Sequence, residues 1–329
     1  MECGGREATR HDRHRPMSVD TAVIIVTFES QGDIGSCLDS LCAGDMLNHV
    51  IVVDNCSRDA TVETVRTRYP AVRLLRMDQN VGFAAACNRG IRASQSRFCL
   101  FVNPDVRLAE GAIDELVGFA EATPRLGVEG PRVFDADGHT LQLSYRSFPT
   151  IGAFFFNRFS LLNRLFPQNR WRRSYLLLDQ KIVGPTPVDW VSGCCMLVRR
   201  ETLDALGGFD ERFFMYNEDV DLCMRAKVMG WKTYYNPRAR ITHQIGASSK
   251  SLRPVVERHK SAWRYYRKHM ATGHSGLDGL ILGALTVRCS ALVAGRLLSG
   301  MRRLHGRIWT KNVCGERVLG APRVGAKKQ

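Results

Sequence analysis

Apolar positions along the chain fall into two alternating rhythms. Ala22–Thr27 and Val50–Val53 are short, unbroken, β-branched runs, the pattern of strands buried on both faces of a parallel sheet. Val72-Arg-Leu-Leu75 gives a third strand, and the apolar run Phe98–Phe101 a fourth. Between them, apolar residues recur at helical spacing through Ile34, Leu38 and Leu41, then to about Arg68, then from Gly82 to Ala93. Ser57 or Asp59 serves as N-cap for the second of these helices. Strands alternating with helices at short spacing predict βαβ units, right-handed crossovers and a mostly parallel sheet sandwiched by helices. A helix over about 111–122, a strand over 127–133 and a turn at Asp135–Gly138 follow. Strand-like or helix-entering sequence at Val188–Val198 leads to a helix over about Asp219–Met229, closed by Gly230. Two short strands, Trp231–Tyr235 and Ile241–His243, complete an α/β pattern.

Two segments break the rhythm. In 150–185, Phe155, Phe159, Leu162 and Phe166 recur at helical spacing with Arg158, Arg164, Arg170, Arg172 and Arg173 interleaved. This suits an amphipathic segment that touches lipid, a flap over a substrate, or a helix that covers the core. Leu277–Leu298 is apolar apart from Asp278, Arg288 and Arg296, and is long enough to span a bilayer. Arg288 would then lie near mid-membrane at a cost of roughly 2.5–3.5 kcal/mol. A helix lying in the interface is therefore favoured over a span or simple packing.

Charge sharpens this picture. The chain of 329 residues carries a formal net charge of +15. Residues 251–329 hold 16 Lys/Arg against 3 Asp/Glu, so the body before them is almost neutral. A basic tail suits an anionic membrane surface or nucleic acid equally by charge alone. The eleven cysteines include no C-x-x-C pair, which argues for free thiols in a reducing compartment and against a zinc site. The first sixteen residues lack a signal-peptide pattern and read as a disordered extension, with Met17 a natural start.

Candidate chemistry sits in three carboxylate loops that border strands: Asp54, Asp105 and Glu218/Asp219. Asn103-Pro-Asp105 is by itself most often a turn, although open α/β sheets also bind ligands at such strand ends. The carboxylates at 218, 219 and 221 equally suit capping of a helix N-terminus. Moving a sugar from a nucleotide donor would use all three loops. One carboxylate recognises the nucleoside, another holds a divalent ion on the diphosphate, and a third takes the acceptor's proton.

The motifs, in order, resemble those of GT-A-fold, family 2 glycosyltransferases, most closely the rhamnosyltransferase-like bacterial subgroup, over roughly residues 20–270. Val23–Phe28 resembles the opening strand, which implies that Thr27, Phe28 and Glu29 border the nucleotide base. Asp54-Asn-Cys-Ser-Arg-Asp-Ala-Thr61 is similar to D-N-x-S-x-D-x-T and implies Asp54 on the nucleoside. Asn80-Val-Gly-Phe83 with Asn88 matches the signature that lines the nucleotide-sugar pocket, Gly82 included. Asn103-Pro-Asp105 stands in the D-x-D place, with Asn for the first Asp, so Asp105 alone supplies an ionic ligand. The stretch from Gly207 to Leu222 resembles the acceptor-side signature and implies Asp219 as catalytic base, with Glu218 the alternative. Trp190, Gly193, Asp210 and Tyr216 fall on that acceptor side. His243-Gln-Ile-Gly-Ala-Ser248 is similar to an H-x-x-G-x-S stretch whose His reaches metal or diphosphate, although a histidine ending a strand is often only hydrogen-bonded.

The resemblance implies an inverting enzyme that uses Mg2+ or Mn2+, a nucleotide-sugar donor (dTDP-rhamnose first) and a lipid-linked or cell-surface glycan acceptor. It implies a catalytic domain over 20–270, with a nucleotide half (20–125) and an acceptor half (126–250), flanked by an extension over 1–19 and a basic, apolar helical tail over 271–329. The enzyme would be cytoplasmic, peripheral at the inner face of the membrane. A sugar-nucleotide nucleotidyltransferase ranks lower, because no Gly-rich basic loop follows the first strand. A dehydrogenase would need G-x-G-x-x-G, which is absent. Nucleic-acid binding draws on the tail alone and is disfavoured.

Overall fold

The structure is a computed structural model that describes residues 20–42, 46–152, 170–177, 180, 182–244, 251–271 and 273–314. The expectations for residues 1–19, the Phe/Arg pattern at 155–166 and the end of the H-x-x-G-x-S stretch lie outside them.

Strands β1 (Thr21–Thr27), β2 (Val50–Asp54), β3 (Arg73–Arg76) and β4 (Phe98–Val102) run parallel in the order β3-β2-β1-β4. The three unbroken apolar runs are buried at every position, whereas the edge strand β3 is partly exposed. Alternate residues of β1 face opposite ways, as strand geometry requires. Val23 and Ile25 join a core with helices α1 (Ile34–Asp39), α2 (Thr61–Arg68) and α4 (Ala112–Ala122). Ala22, Ile24 and Val26 face the other way, towards α3 (Phe83–Arg92). A Cβ on Gly90 of α3 would stand 2.5 Å from Ile24, so that helix packs on the sheet only with glycine there.

Beyond β4 the sheet becomes mixed. The remaining elements are β5 (Val106–Leu108), β6 (Leu126–Phe134), β7 (Leu141–Gln142), β8 (Tyr145–Arg146), α5 (Arg170–Tyr175), β9 (Thr186–Val188), β10 (Trp190–Val191) and β11 (Cys195–Arg199). They are followed by α6 (Arg200–Leu206), α7 (Glu218–Val228), β12 (Lys232–His243), α8 (Arg253–His269) and α9 (Ser275–Cys314). The sheet continues β4-β11-β6-β12-β5, with β11 antiparallel to both neighbours and β12 parallel to β6. The parallel expectation thus describes the first half and not the second.

Three local expectations change. The two short strands after α7 are one strand, β12, whose register slips between Asn236 and Arg240. Pro237 lies in that slip, where its missing N–H interrupts the ladder. The N-cap of α2 is Ala60 rather than Ser57 or Asp59: Asp59, one residue earlier, accepts the Thr61 N–H at 3.0 Å, and Ser57 Oγ accepts from Glu29 N. Helix α8 was not anticipated. Its buried face includes Glu257, His259 and Ser261 beside Val255, Tyr265 and Tyr266, so no apolar stripe marks it; Pro254 in its first turn is the surviving signal.

Helix α9 lays Ile281 and Leu285 on Tyr266 of α8, while Leu280, Leu282, Val287, Leu297 and Leu298 are exposed. Its first 24 residues, Ser275–Leu298, are long and apolar enough to cross a membrane, with mean hydropathy 1.6. The described cysteines are all free thiols.

Candidate active site

Parallel strands bring their carboxyl ends to one edge, and there the candidate residues gather. Thr27 and Asp54 are register partners at the ends of β1 and β2, and both are fully buried. Asp54 Oδ2 accepts the Ser57 N–H at 3.1 Å, but its Oδ1 is buried without a hydrogen-bond partner, and so is Thr27 Oγ1. Buried polar atoms are normally satisfied, so these two point to a polar ligand. Phe28 is exposed beside them, and Glu29, at φ +53°, accepts the Arg58 N–H.

Asn55, which the sequence reading passed over, builds the next wall. Its Nδ2 donates to Asn80 Oδ1 and Gly82 O, each at 3.1 Å, and its Oδ1 accepts the Val81 N–H. The signal was its place between Asp54 and the second motif, which the pattern alone did not connect. Gly82, at φ +91°, presses against the acceptor-side loop, and a Cβ there would lie 2.5 Å from Phe214 O. Phe83 N donates to that same carbonyl at 2.7 Å.

Asn88, expected to line the donor pocket, does something else. It is buried, donates to Phe209 O and Glu211 Oε1, and accepts the Phe209 N–H at 2.8 Å. It clamps α3 to the Gly207–Arg212 loop, leaving its amide engaged by protein. Two acceptor-side candidates are likewise engaged by protein groups. Asp210 is held by Arg212 and Lys268, whose charges keep its carboxyl well below the usual range, with the Arg212 hydrogen bond the larger cause. Trp190 is buried, donates to Ser147 O and lies under Arg146 at 5.2 Å. Aromatic bulk and a desolvated ring explain both its burial and its satisfied indole N–H.

Asn103-Pro-Asp105 is a turn, because Val106 N donates to Asn103 O at 3.1 Å, and it is also a presented carboxylate. Asp105 Oδ1 is buried without a hydrogen bond, 3.3 Å from His243 Nε2. Antiparallel pairing of Val106 with His243 puts the two side by side. One carboxylate and one imidazole suit Mn2+ or Mg2+ completed by phosphate oxygens. No group of three or more such ligands exists among the described residues, so substrate would have to supply the rest. The orphaned Oδ1 fits that group. Asp33 lies close by, its carboxyl raised by burial and then by the Asp105 charge.

Asn103 N donates to Cys194 O, and the neighbouring Gly193 N donates to Asp219 Oδ2 at 2.9 Å, which connects the Asp105 turn to the head of α7. Tyr216 and Asn217, at φ +70° and +62°, are left-handed just before Glu218. Such backbone costs on the order of 1 kcal/mol per residue and often marks a working site. Arg258 lies over the Tyr216 ring at 4.6 Å. Glu218 is buried with Oε2 unpartnered, and burial, then the Asp219 charge, pushes its carboxyl well up. Asp219 is also raised by burial, opposed by the Gly193 and Val220 N–H groups and by Arg146. Burial raises both carboxyls, while the Gly193 and Val220 N–H groups and Arg146 favour the charged form of Asp219.

A mixed α/β sheet with carboxylates at its carboxyl edge is the arrangement of the GT-A fold. The glycosyl transferase family 2 profile matches residues 22–207, and that of glycosyl transferase family group 2 matches 155–267. The chain belongs to glycosyl transferase family 2 and is a glycosyltransferase of the rhamnosyltransferase-like type. It is 34% identical over 276 residues, 77% of this chain and 86% of the relative, to the N-acetylglucosaminyl-diphospho-decaprenol L-rhamnosyltransferase of Mycobacterium tuberculosis. It is 24% identical to rhamnosyltransferase WbbL of Escherichia coli, across 78% of this chain and 96% of that one. The mannosyltransferase PcManGT of Pyrobaculum calidifontis, solved with GDP-Man and Mn2+, shares the fold at TM-score 0.52 and 17% identity, over 89% of this chain and 83% of that chain.

Proposed function

We propose that this glycosyltransferase moves rhamnose from dTDP-rhamnose to a lipid-linked, diphosphate-bearing N-acetylglucosamine acceptor, with inversion at the anomeric carbon. The observation that carries the site assignment is the three buried, unpartnered oxygens of Thr27, Asp54 and Asp105, at or just past the carboxyl ends of the parallel strands β1, β2 and β4. The donor and acceptor classes are supported by the relatives' names, above all the one 34% identical.

Asp54 and Thr27 receive the nucleoside, and the Asn55-held loop Asn80–Phe83 borders the sugar. Asp219 takes the proton from the acceptor hydroxyl, on the face opposite the leaving group. Asp105 and His243 would hold a divalent cation, which would neutralise charge on the departing diphosphate. Glu218, kept neutral, lets Asp219 carry the charge without a second anion beside it.

The exposed face of α9 and the positive charge of residues 251–329 suit an anionic bilayer surface on the cytoplasmic side. One face of α9 packs on α8, a helix that carries Arg253, Arg258, Lys260, Arg264, Arg267 and Lys268. Such a charged platform favours a helix lying on the membrane over one crossing it.

The test is transfer from dTDP-rhamnose to a short-chain prenyl-diphosphate N-acetylglucosamine, with product anomers read by NMR. A panel of UDP- and GDP-sugars runs in parallel. Turnover with another donor alone would replace rhamnose, and a retained anomer would remove the single-displacement mechanism.

A further inference from the structure

We propose that Gln142 is a positioning residue that sets the tautomer of His243 and so prepares the Asp105–His243 pair for a cation. The inference rests on the cation reading of that pair. Gln142 Nε2 stands within reach of three oxygens that can only accept: His243 O at 2.7 Å, Asp135 Oδ1 at 2.6 Å and Phe134 O at 3.4 Å. Only an amide nitrogen satisfies all three, so the side chain has one orientation. Its Oε1 therefore faces His243 Nδ1 at 3.1 Å. An amide oxygen accepts and cannot donate, so the proton sits on Nδ1.

A neutral imidazole protonated at Nδ1 has a bare lone pair at Nε2. That lone pair faces the unpartnered Asp105 Oδ1 at 3.3 Å. Two acceptors at that distance repel unless a cation lies between or before them. In the neutral ring the clamp thus leaves Nε2 with no proton to give Asp105 and keeps both atoms as ligands, as outer-shell partners of metal-bound histidines do.

The fold has a specific way of delivering this residue. Asp137 accepts the His139 and Thr140 N–H groups, each at 2.8 Å, closing the β6–β7 turn. That turn pairs Gln142 with Val133, and Val133 pairs in turn with Ile241 of β12. The same turn brings Asp135 to the amide from behind. No other described element supplies an acceptor to His243 Nδ1.

The experiment compares wild type with Gln142→Leu, both checked for folding by circular dichroism. Side-chain 15N NMR of His243 at about pH 8, where an ordinary imidazole is neutral, reads the tautomer. An electron paramagnetic resonance titration with Mn2+, alone and with dTDP, reads affinity. Wild type is expected as the Nδ1–H tautomer. Gln142→Leu shifts towards Nε2–H and binds Mn2+ about 10- to 100-fold more weakly.

A wild-type Nε2–H tautomer, or Mn2+ affinity in Gln142→Leu within about twofold of wild type, overturns the proposal. If wild type binds no Mn2+, the cation reading of the pair fails, and the tautomer comparison alone still decides whether Gln142 is the clamp.

Discussion

The Gly193 N–H donates to Asp219 Oδ2 at 2.9 Å, and a Cβ on residue 193 would stand 3.3 Å from the Asp219 Cβ. Close approach of backbone to carboxylate is thus what residue 193 provides. The bond steadies Asp219 as an anion and leaves its Oδ1 to the Val220 N–H. Asp219→Asn is expected to abolish transfer, a fall of more than about 1000-fold, while dTDP binding by calorimetry stays within about twofold. Glu218→Gln, which imitates the protonated acid, is expected to keep most of the turnover. Retained turnover in Asp219→Asn would move the base elsewhere.

Arg146 opposes the effect of burial on Asp219 and packs between Trp190 and Tyr175. A base must be ionised, so the acid limb of kcat/KM follows the Asp219 carboxyl and lies above the ordinary aspartate range near pH 3.9. Removing a neighbouring cation raises a carboxyl further. Arg146→Met therefore shifts that limb to higher pH, with the largest activity loss on the acid side. A pH–rate profile checks it, and an unchanged limb would separate Arg146 from Asp219.

Glu129 is fully buried in β6, accepts from Asn236 at 2.8 Å and is pushed up to about 9, chiefly by burial. The folded state therefore keeps a proton that the unfolded chain releases near pH 4.5. Stability is fully present below pH 4.5 and is lost progressively as pH rises towards 9. Glu129→Gln removes that dependence. It is expected to stabilise at pH 8 by a few kcal/mol, on the order of 1.4 kcal/mol per pH unit at most, and to be neutral near pH 4. Urea unfolding at both pH values tests this.

Asn88 joins α3 to the acceptor-side loop through both backbone groups of Phe209. Asn88→Ala strands a buried N–H and a buried carbonyl, each costing about 1–3 kcal/mol. Gly208, at φ +79°, would place a Cβ 2.4 Å from Asn88 Oδ1, so the loop is built around that amide. A loss of about 3 kcal/mol is expected in chemical denaturation, with KM for the acceptor raised more than KM for the donor. Equal stability would show that the clamp is dispensable.

Leu280, Leu282 and Val287 are exposed on α9. Replacing all three by Gln is expected to weaken sedimentation with phosphatidylglycerol vesicles by about 10-fold or more, since each apolar side chain withdrawn from lipid forfeits about 1 kcal/mol or more. Transfer to a water-soluble acceptor should be unaffected. Unchanged vesicle binding would leave α9 as a packing helix only.

Much of this molecule was legible before folding. Runs such as Val23–Val26 can be buried only as strands, and short helices between such runs leave parallel pairing as the economical solution. The motifs around Asp54, Asp105 and Asp219 could be placed at strand or helix ends because Gly, Pro and Asx residues interrupt periodic sequence in definite ways. Other assignments turned on partners distant along the chain. Asn88 and Asp210 carry the right chemistry in the right motifs, yet Phe209 and Lys268 respectively engage them. Local pattern cannot report that, because hydrogen-bond satisfaction is a property of three-dimensional neighbours. Gln142 meets His243 across 101 residues, and Gly193 meets Asp219 across 26. Periodicity and motif spacing specify which residues leave a strand and in which direction. Which atoms remain unpartnered, and therefore free to bind, is set only when the sheet closes and every other donor and acceptor has been matched.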